Sequence, residues 1–134
     1  MPRRGETAAA DWWVGVNAHL ASHGVGLSRA ARILKDAKLA SLAQRQLDWV
    51  LGVNPFNASW VTDVGRNQPA LYRTGQFTPP VPQIAGGVMN GIGGSDDDQP
   101  VLEPGSWNTC EYWTPMVAYV MWLMVELQSA SVPT

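Results

Sequence analysis

The most constraining feature of this sequence is an almost uniformly apolar segment near its C-terminal end. Every residue from Met116 to Val125 is aliphatic, aromatic or methionine. Pro115 fits a first helical turn, so the pattern predicts a helix that begins at Glu111 or Trp113 and ends near Gln128. This run is too short to span a bilayer and indicates a buried helix. A helix that is apolar on nearly all sides needs neighbours on nearly all sides.

The first two predicted helices are short. Apolar residues recur at helical spacing over 8–22, and His23-Gly24 is expected to end this helix because glycine commonly follows a helix. A second short helix is predicted over 28–34, with Ser28 as its N-cap.

The clearest helical periodicity lies over 37–51. Asp36 is the expected N-cap of this third helix, and Gly52 and Pro55 end it. Three short amphipathic helices can barely surround a fourth that is apolar all round. We therefore expect an all-α chain that forms a piece of a larger helical assembly.

A long connection over 52–106 is rich in glycine, proline and asparagine. A structureless loop of this length inside a domain is either functional or evidence against the assignment. The first is favoured, because loops on a rigid scaffold carry many binding and catalytic groups. The expected layout is a loose N-terminus over 1–7, one domain over 8–130 and a tail over 131–134.

Charge and cysteine content argue against several functions. The net charge is -2 with scattered lysines and arginines, which does not suggest binding to nucleic acid or to an anionic membrane. Cys110 is the single cysteine, so no disulfide can form within the chain. Met1–Ala10 lacks the apolar stretch of a signal peptide, and the compartment stays open. Only 15% of residues are charged, which hints that some surface meets a partner.

Tryptophan is abundant, with seven residues in 134. Its large apolar ring fills cores and also stacks on sugar rings. Core packing is the simpler interpretation for any one of them. Trp60 and Trp107 differ because they lie in loop-like sequence, which makes them candidates for ligand contacts.

Three motifs in one order resemble a single enzyme family. Leu47–Thr62 reads LDWVLGVNPFNASWVT, similar to a signature close to QLDYILGxNPxxxSYVTGxG. Gly86–Gly91 resembles a glycine-rich loop that ends in Gly-Pro-Asn. Trp113–Val117 resembles the Trp-Asn-Ala-Pro-Leu-Val that opens the last helix of that family. Together they make residues 8–128 similar to the family-9 glycoside hydrolases.

This resemblance implies an architecture. Family-9 enzymes fold as an (α/α)6 barrel of six helical hairpins, and a chain this short would supply the closing hairpins, with the Gly/Pro-rich loop region between its last two helices. The family takes its catalytic base from an aspartate pair in an N-terminal motif that is absent from this sequence. The resemblance thus implies that the missing N-terminal half of the barrel is a partner.

Glu111 is the candidate general acid under this resemblance. Inverting glycosidases pair an acid, which protonates the leaving oxygen, with a carboxylate base that activates water. The acid needs an apolar setting that raises its pKa, and Tyr112, Trp107 and Trp113 are close to Glu111 in sequence. Cys110-Glu111 resembles the family's Asn-Glu pair, but it lies closer to the last helix, and an ungapped alignment puts Trp107 at the acid's position. The alternative is a charge favoured by a helix N-terminus.

The resemblance also implies sugar contacts. Residues 69–73 take the place of a Pro-His-His-Arg-like segment, with both histidines replaced and Arg73 kept. Arginine can hold sugar hydroxyls through its forked donors, although a solvated loop charge is the alternative. The missing histidines put ordinary cellulose specificity in doubt. The expected substrate-binding residues are Trp60, Tyr72, Arg73, Trp107 and Tyr112.

We expect neither a metal nor a cofactor. Asp96–Asp98 fit no calcium-loop spacing and are better explained as solvated loop charge. His19 and His23 share a helix face but have no third ligand near them in sequence. Cys110 has no histidine close in sequence to activate it and is expected to be a buried thiol.

The sequence favours inverting hydrolysis of a β-glucan, a cellulose-type polysaccharide or a related oligosaccharide, by a chain that lacks the base. Two alternatives stay open. A non-catalytic carbohydrate-binding module would suit the aromatic residues and glycine-rich loops. A truncated, inactive product would expose apolar surface.

Overall fold

The computed structural model describes residues 16–73, 82–95, 97 and 99–130. The described part is mainly helical, as predicted, and the two strands, which pair antiparallel, are very short. Neither they nor the four-residue helix α3 was predicted. The elements in order are α1 (Val16–Leu34), α2 (Ala37–Leu51), β1 (Gly93–Gly94), β2 (Pro100–Val101), α3 (Trp107–Cys110) and α4 (Thr114–Ala130).

Helix α1 is one continuous helix where the sequence predicted two. The predicted stop at His23-Gly24 is wrong, and Ser28 is buried inside the helix instead of capping one. A Cβ atom at Gly24 would lie 2.7 Å from Leu123 Cδ2 in α4 and 3.2 Å from Gln46 Cβ in α2. Gly24 therefore allows three helices to approach closely. The predicted helix start at residue 8 lies outside the described residues.

Helix α2 has the bounds that its periodicity predicted. The Asp36 carboxylate accepts hydrogen bonds from the backbone N–H groups of Lys38 (2.7 Å) and Leu39 (3.4 Å), which satisfies donors of the first turn. At the other end Gly52 has a φ of 124°, and its N–H donates to the Trp49 carbonyl at 3.2 Å. The buried residues of α2 are Ala43, Leu47 and Val50.

Much of the long connection is ordered by backbone pairing. Two of its segments run antiparallel through the bridge between Val61 and Val88, and a second bridge joins Met89 to Tyr112. The carbonyl of Asn90 accepts a hydrogen bond of 3.1 Å from the first turn of α1. The described parts of the connection therefore form a layer that is attached to the helices, and they are not a structureless loop.

The core lies between this layer and the helices. Helix α1 packs against both α2 and α4, whereas α2 and α4 touch each other much less. Both layers contribute to one buried cluster: Ala18, Ala21, Val25, Leu47, Val50, Trp60, Val61, Val88, Met89, Ile92, Cys110, Met116, Val120 and Leu123.

Helix α4 is buried along one side and exposes apolar residues on the other. The expectation that it is buried on most faces is wrong for this chain, because among the described helices α1 alone packs extensively against it. A contiguous exposed apolar surface usually marks an interaction site. The exposed residues are Met121, Trp122, Met124 and Val125. No helix in the described part is long and apolar enough to cross a membrane.

A buried carboxylate joins α4 to α1. Glu126 accepts hydrogen bonds from Arg32 Nη2 at 2.5 Å, from Arg29 Nε at 2.8 Å and from Trp122 Nε1 at 3.0 Å. The Arg29 guanidinium also lies 5.0 Å from the centre of the Trp122 ring. Arg32, followed by Arg29, lowers the pKa of Glu126 to about 2 against the opposing effect of its burial.

This carboxylate predicts an acid-dependent stability. Because the pKa of Glu126 falls from 4.5 to about 2 on folding, its stabilisation is fully present above pH 4.5 and is lost as the pH falls towards 2. Glu126→Gln should cost about 2 kcal/mol of unfolding free energy at pH 6, since hydrogen bonds to a charged group are lost. Urea unfolding of both proteins between pH 6 and pH 2.5 checks this. A difference that stays constant over this range would contradict the linkage.

Candidate active site

Backbone hydrogen bonds bring three separate segments together beside the start of α4. The Tyr72 N–H donates to the Cys110 carbonyl and the Asn90 N–H donates to the Glu111 carbonyl, both at 2.9 Å. Residues 72–73, 89–90 and 110–112 are therefore neighbours, although the chain separates them widely. Four of the predicted site residues lie in this cluster: Tyr72, Arg73, Glu111 and Tyr112.

The short helix α3 places Glu111. Its N-cap Ser106 accepts a hydrogen bond from the Asn108 N–H at 3.3 Å, and the Thr109 hydroxyl donates to the Glu103 carbonyl at 2.8 Å. Thr109 and the next residue are buried, which anchors the helix to the core. Glu111 follows in an extended conformation, with φ −91° and ψ 150°, and is half-buried.

A cleft of about 410 Å³ opens beside the two residues that follow Glu111. Its walls come from the segment before α4 and from the first two turns of α4, and they are mainly apolar. The lining residues are Tyr112, Trp113, Thr114, Val117, Ala118 and Met121. The Trp113 indole N–H donates to Glu111 Oε2 at 2.5 Å, which connects the candidate acid to the aromatic wall of the cleft.

Tyr112 is fixed in position by contacts on several sides. Its hydroxyl lies 2.6 Å from Thr62 Oγ1 and accepts a hydrogen bond from the Ile84 N–H at 3.3 Å. Gly87 lies directly against the ring, where a Cβ would be 2.8 Å from two ring carbons. The ring is therefore a rigid wall of the cleft, and its hydroxyl is already engaged within the chain.

Trp60 does not lie in this cleft. Its exposed fraction is 0%, and its backbone pairs with Val50 and Met89 inside the core. The expectation that Trp60 contacts sugar is therefore corrected: its loop-like sequence belongs to the buried extended layer. Trp107 is 37% exposed at the start of α3, and Arg73 is exposed beside the cluster.

Trp113 was not among the predicted site residues, although it is 47% exposed and hydrogen-bonded to the carboxylate of Glu111. A signal for this contact was present in the sequence. Residues two apart on an extended segment point to the same side, and Glu111 and Trp113 have this spacing. The contact could not be predicted while the last helix was expected to begin as early as Glu111.

The other candidate ligands lie apart from the cleft. Within the described residues no three His, Cys, Asp or Glu side chains are grouped to hold a metal ion. His19 and His23 are exposed on α1, and Asp97 is exposed, while Asp96 and Asp98 lie outside the described residues. Burial raises the pKa of the Cys110 thiol, which disfavours the thiolate.

Comparison with known proteins matches the sequence and the fold of this chain to one family. The sequence profile of glycosyl hydrolase family 9 matches residues 4–124. Among solved structures, the cellulase Cel9M of C. cellulolyticium in complex with cellobiose superposes with a TM-score of 0.69 and 19% identity. The alignment covers 89% of this chain and 30% of the cellulase chain, so the protein spans less than a third of that enzyme's length. No curated protein matches the chain significantly. The profile match over nearly the whole chain, together with the shared fold, shows that this protein belongs to glycosyl hydrolase family 9.

Proposed function

We propose that this chain is the closing part of a catalytic barrel that hydrolyses β-glucan or cellulose-type saccharides with inversion. Glu111 would be the general acid, and the cleft formed by Tyr112, Trp113 and the start of α4 would hold a sugar next to it. The observation that carries this proposal is the position of the Glu111 carboxyl group, which contacts Trp113, a residue that lines an aromatic cleft. A carboxyl group beside an aromatic wall is the arrangement that a glycosidase acid needs.

The reaction would proceed by one displacement. Glu111 would give its proton to the glycosidic oxygen as the bond to the anomeric carbon breaks, while a base on the opposite face removes a proton from the attacking water. Sugar rings on Trp113 and Tyr112 would exclude water from the carboxyl group. Arg73, exposed beside the cluster, would donate hydrogen bonds to sugar hydroxyls.

The base would come from a partner. The sequence lacks the aspartate pair of the family's N-terminal motif, and α4 exposes apolar residues that a barrel would cover. We propose that the N-terminal hairpins of a family-9 barrel pack on this face and carry the base. Because such an interface divides a core, it should bury more than roughly 2,000 Å².

Sugar binding by the cleft can be tested on the chain itself. Trp113→Ala should weaken the binding of cellotetraose about tenfold, because an aromatic wall is removed from the cleft. Trp122→Ala is the matched control: Trp122 is 43% exposed on α4, the helix that follows Trp113, but does not line the cleft. Isothermal titration calorimetry measures both constants, with melting temperatures to verify folding. Equal weakening by the two variants would contradict the placement of the sugar.

A second candidate function is carbohydrate binding without hydrolysis. The same cleft supports it, since its aromatic side chains offer a face for a sugar ring and the Glu111 carboxyl oxygens beside Trp113 can accept hydrogen bonds from sugar hydroxyls. Stoichiometric cellotetraose binding without release of reducing ends, also in the presence of the N-terminal hairpins, would favour this function.

A further inference from the structure

A second, larger cavity of about 860 Å³ lies at the C-terminal end of α2 and shares no lining residue with the cleft. Its lining includes the apolar side chains of Trp49, Val53 and Pro55 and the polar side chains of Asn57 and Arg66. The cavity is open to solvent at Val53, which is 74% exposed. An apolar wall that faces a few fixed polar groups is the usual composition of a small-molecule site.

The loop that forms this cavity is braced by asparagine side chains. Asn54 Nδ2 donates to the carbonyls of Trp49 and Ala58, both at 2.8 Å, and its Oδ1 accepts from the N–H groups of Phe56 and Ala58. These four bonds use the whole hydrogen-bonding capacity of the Asn54 side chain. The loop is therefore held in one shape without a ligand.

Arg66 is held by the same loop. Its Nε and Nη2 atoms donate to Asn57 Oδ1 at 3.1 and 2.7 Å, and the Asn57 carbonyl accepts from Asn67 Nδ2 at 2.9 Å. These bonds use two of the five guanidinium donors. Of the three that remain, one N–H of Nη1 and one of Nη2 lie side by side and form the fork that fits a carboxylate. The ion pairs found among the described residues both involve Glu126, so no described carboxylate pairs with Arg66.

We propose that this cavity binds a uronic acid, a sugar ring that bears a carboxylate. The carboxylate pairs with the fixed Arg66 guanidinium, and the apolar face of the pyranose ring lies on Trp49, Val53 and Pro55. A neutral sugar would leave the guanidinium without its charged partner, so the site discriminates by charge. That the ligand is a saccharide rests on the proposed function, but the residues that would bind it are different ones.

The experiment is an NMR titration of the intact chain with D-glucuronate, its methyl ester and D-glucose, followed at the Trp49 indole and Arg66 Nε–H signals. Glucuronate is expected to bind at least tenfold more tightly than the other two, because these lack the carboxylate. Arg66→Ala and Arg66→Lys should each weaken glucuronate binding about tenfold, since lysine keeps the charge but not the fork. Arg45→Ala, an exposed arginine of α2 that does not line the cavity, should leave binding unchanged.

Equal affinity for glucose and glucuronate, or no shift at the two signals, would overturn the inference. So would a loss of binding in Arg45→Ala as large as in Arg66→Ala. The cellotetraose experiment on Trp113 separates this inference from the proposed function. If the chain binds glucuronate but not cellotetraose, the uronic-acid site stands and the proposed function is contradicted. If it binds cellotetraose but not glucuronate, the proposed function stands and the uronic-acid site is contradicted.

Discussion

Trp60→Ala is expected to lower the free energy of unfolding by about 3–5 kcal/mol, the usual cost of removing a large aromatic side chain from a packed core. Trp60 is completely buried, and it is the largest of the fully buried side chains in the described part. Its backbone bonds to Val50 at the end of α2 and to Met89 in the neighbouring segment. The cavity left by alanine would therefore lie where α2 meets the extended layer. Urea unfolding followed by circular dichroism measures the loss.

Two further variants test whether the loss of stability is specific to the buried Trp60 ring. Trp60→Phe should cost clearly less than Trp60→Ala, because it keeps most of the buried ring and removes an indole N–H that has no acceptor within the described part of the chain. Trp107→Ala, at a side chain that is 37% exposed, should also cost less. A stable Trp60→Ala protein that has lost only its sugar binding would restore Trp60 as a sugar contact.

Glu111→Gln is expected to abolish most catalysis. If Glu111 is the acid, the loss of proton transfer should slow release of reducing sugar from soluble mixed-linkage β-glucan by about 10²–10⁴-fold. The assay uses the chain together with the N-terminal hairpins of a family-9 barrel, since the chain alone should release none. Glutamine keeps the size and the acceptor oxygen for Trp113, so cellotetraose binding should persist.

Glu103→Gln is the matched control, because Glu103 is an exposed glutamate just before α3. If it slowed the reaction as much as Glu111→Gln, the assignment of the acid would be wrong. Release by the chain alone, lost in Glu111→Gln, would show that the chain carries a complete site. A base such as Asp63 would then lie within the chain, and the proposed partner would be unnecessary.

The features that could be predicted from the sequence depend on short stretches of chain. Helix α2 was predicted with its bounds, because its apolar period, its N-cap Asp36 and its terminal Gly52 all act within a few residues. The family was also predicted, since the motifs around Leu47–Thr62 are contiguous, and the profile match confirms it. Of the candidate site, the segment around Glu111 could be named in advance, but its contacts could not.

The features that were mistaken depend on residues far apart in the chain. Gly24 was taken for a helix end because glycine often follows helices, yet it lies inside α1 where Leu123 leaves no room for a Cβ atom. Trp60 was taken for a loop residue because prolines and glycines surround it, yet pairing of its segment with Met89 buries it.

By itself, the sequence determined the family, the helical class, the bounds of α2 and the apolar character of α4, because propensity, capping and periodicity are local. Only the tertiary structure decided that Gly24 lies inside a helix and lets α1 approach α4 closely, and that Trp60 is buried. It alone also decided that the Trp113 indole donates to the Glu111 carboxylate. It also decided that Arg66 stands fixed at a cavity. Burial and hydrogen bonding depend on neighbours that the chain supplies from distant positions, so no single segment contains this information.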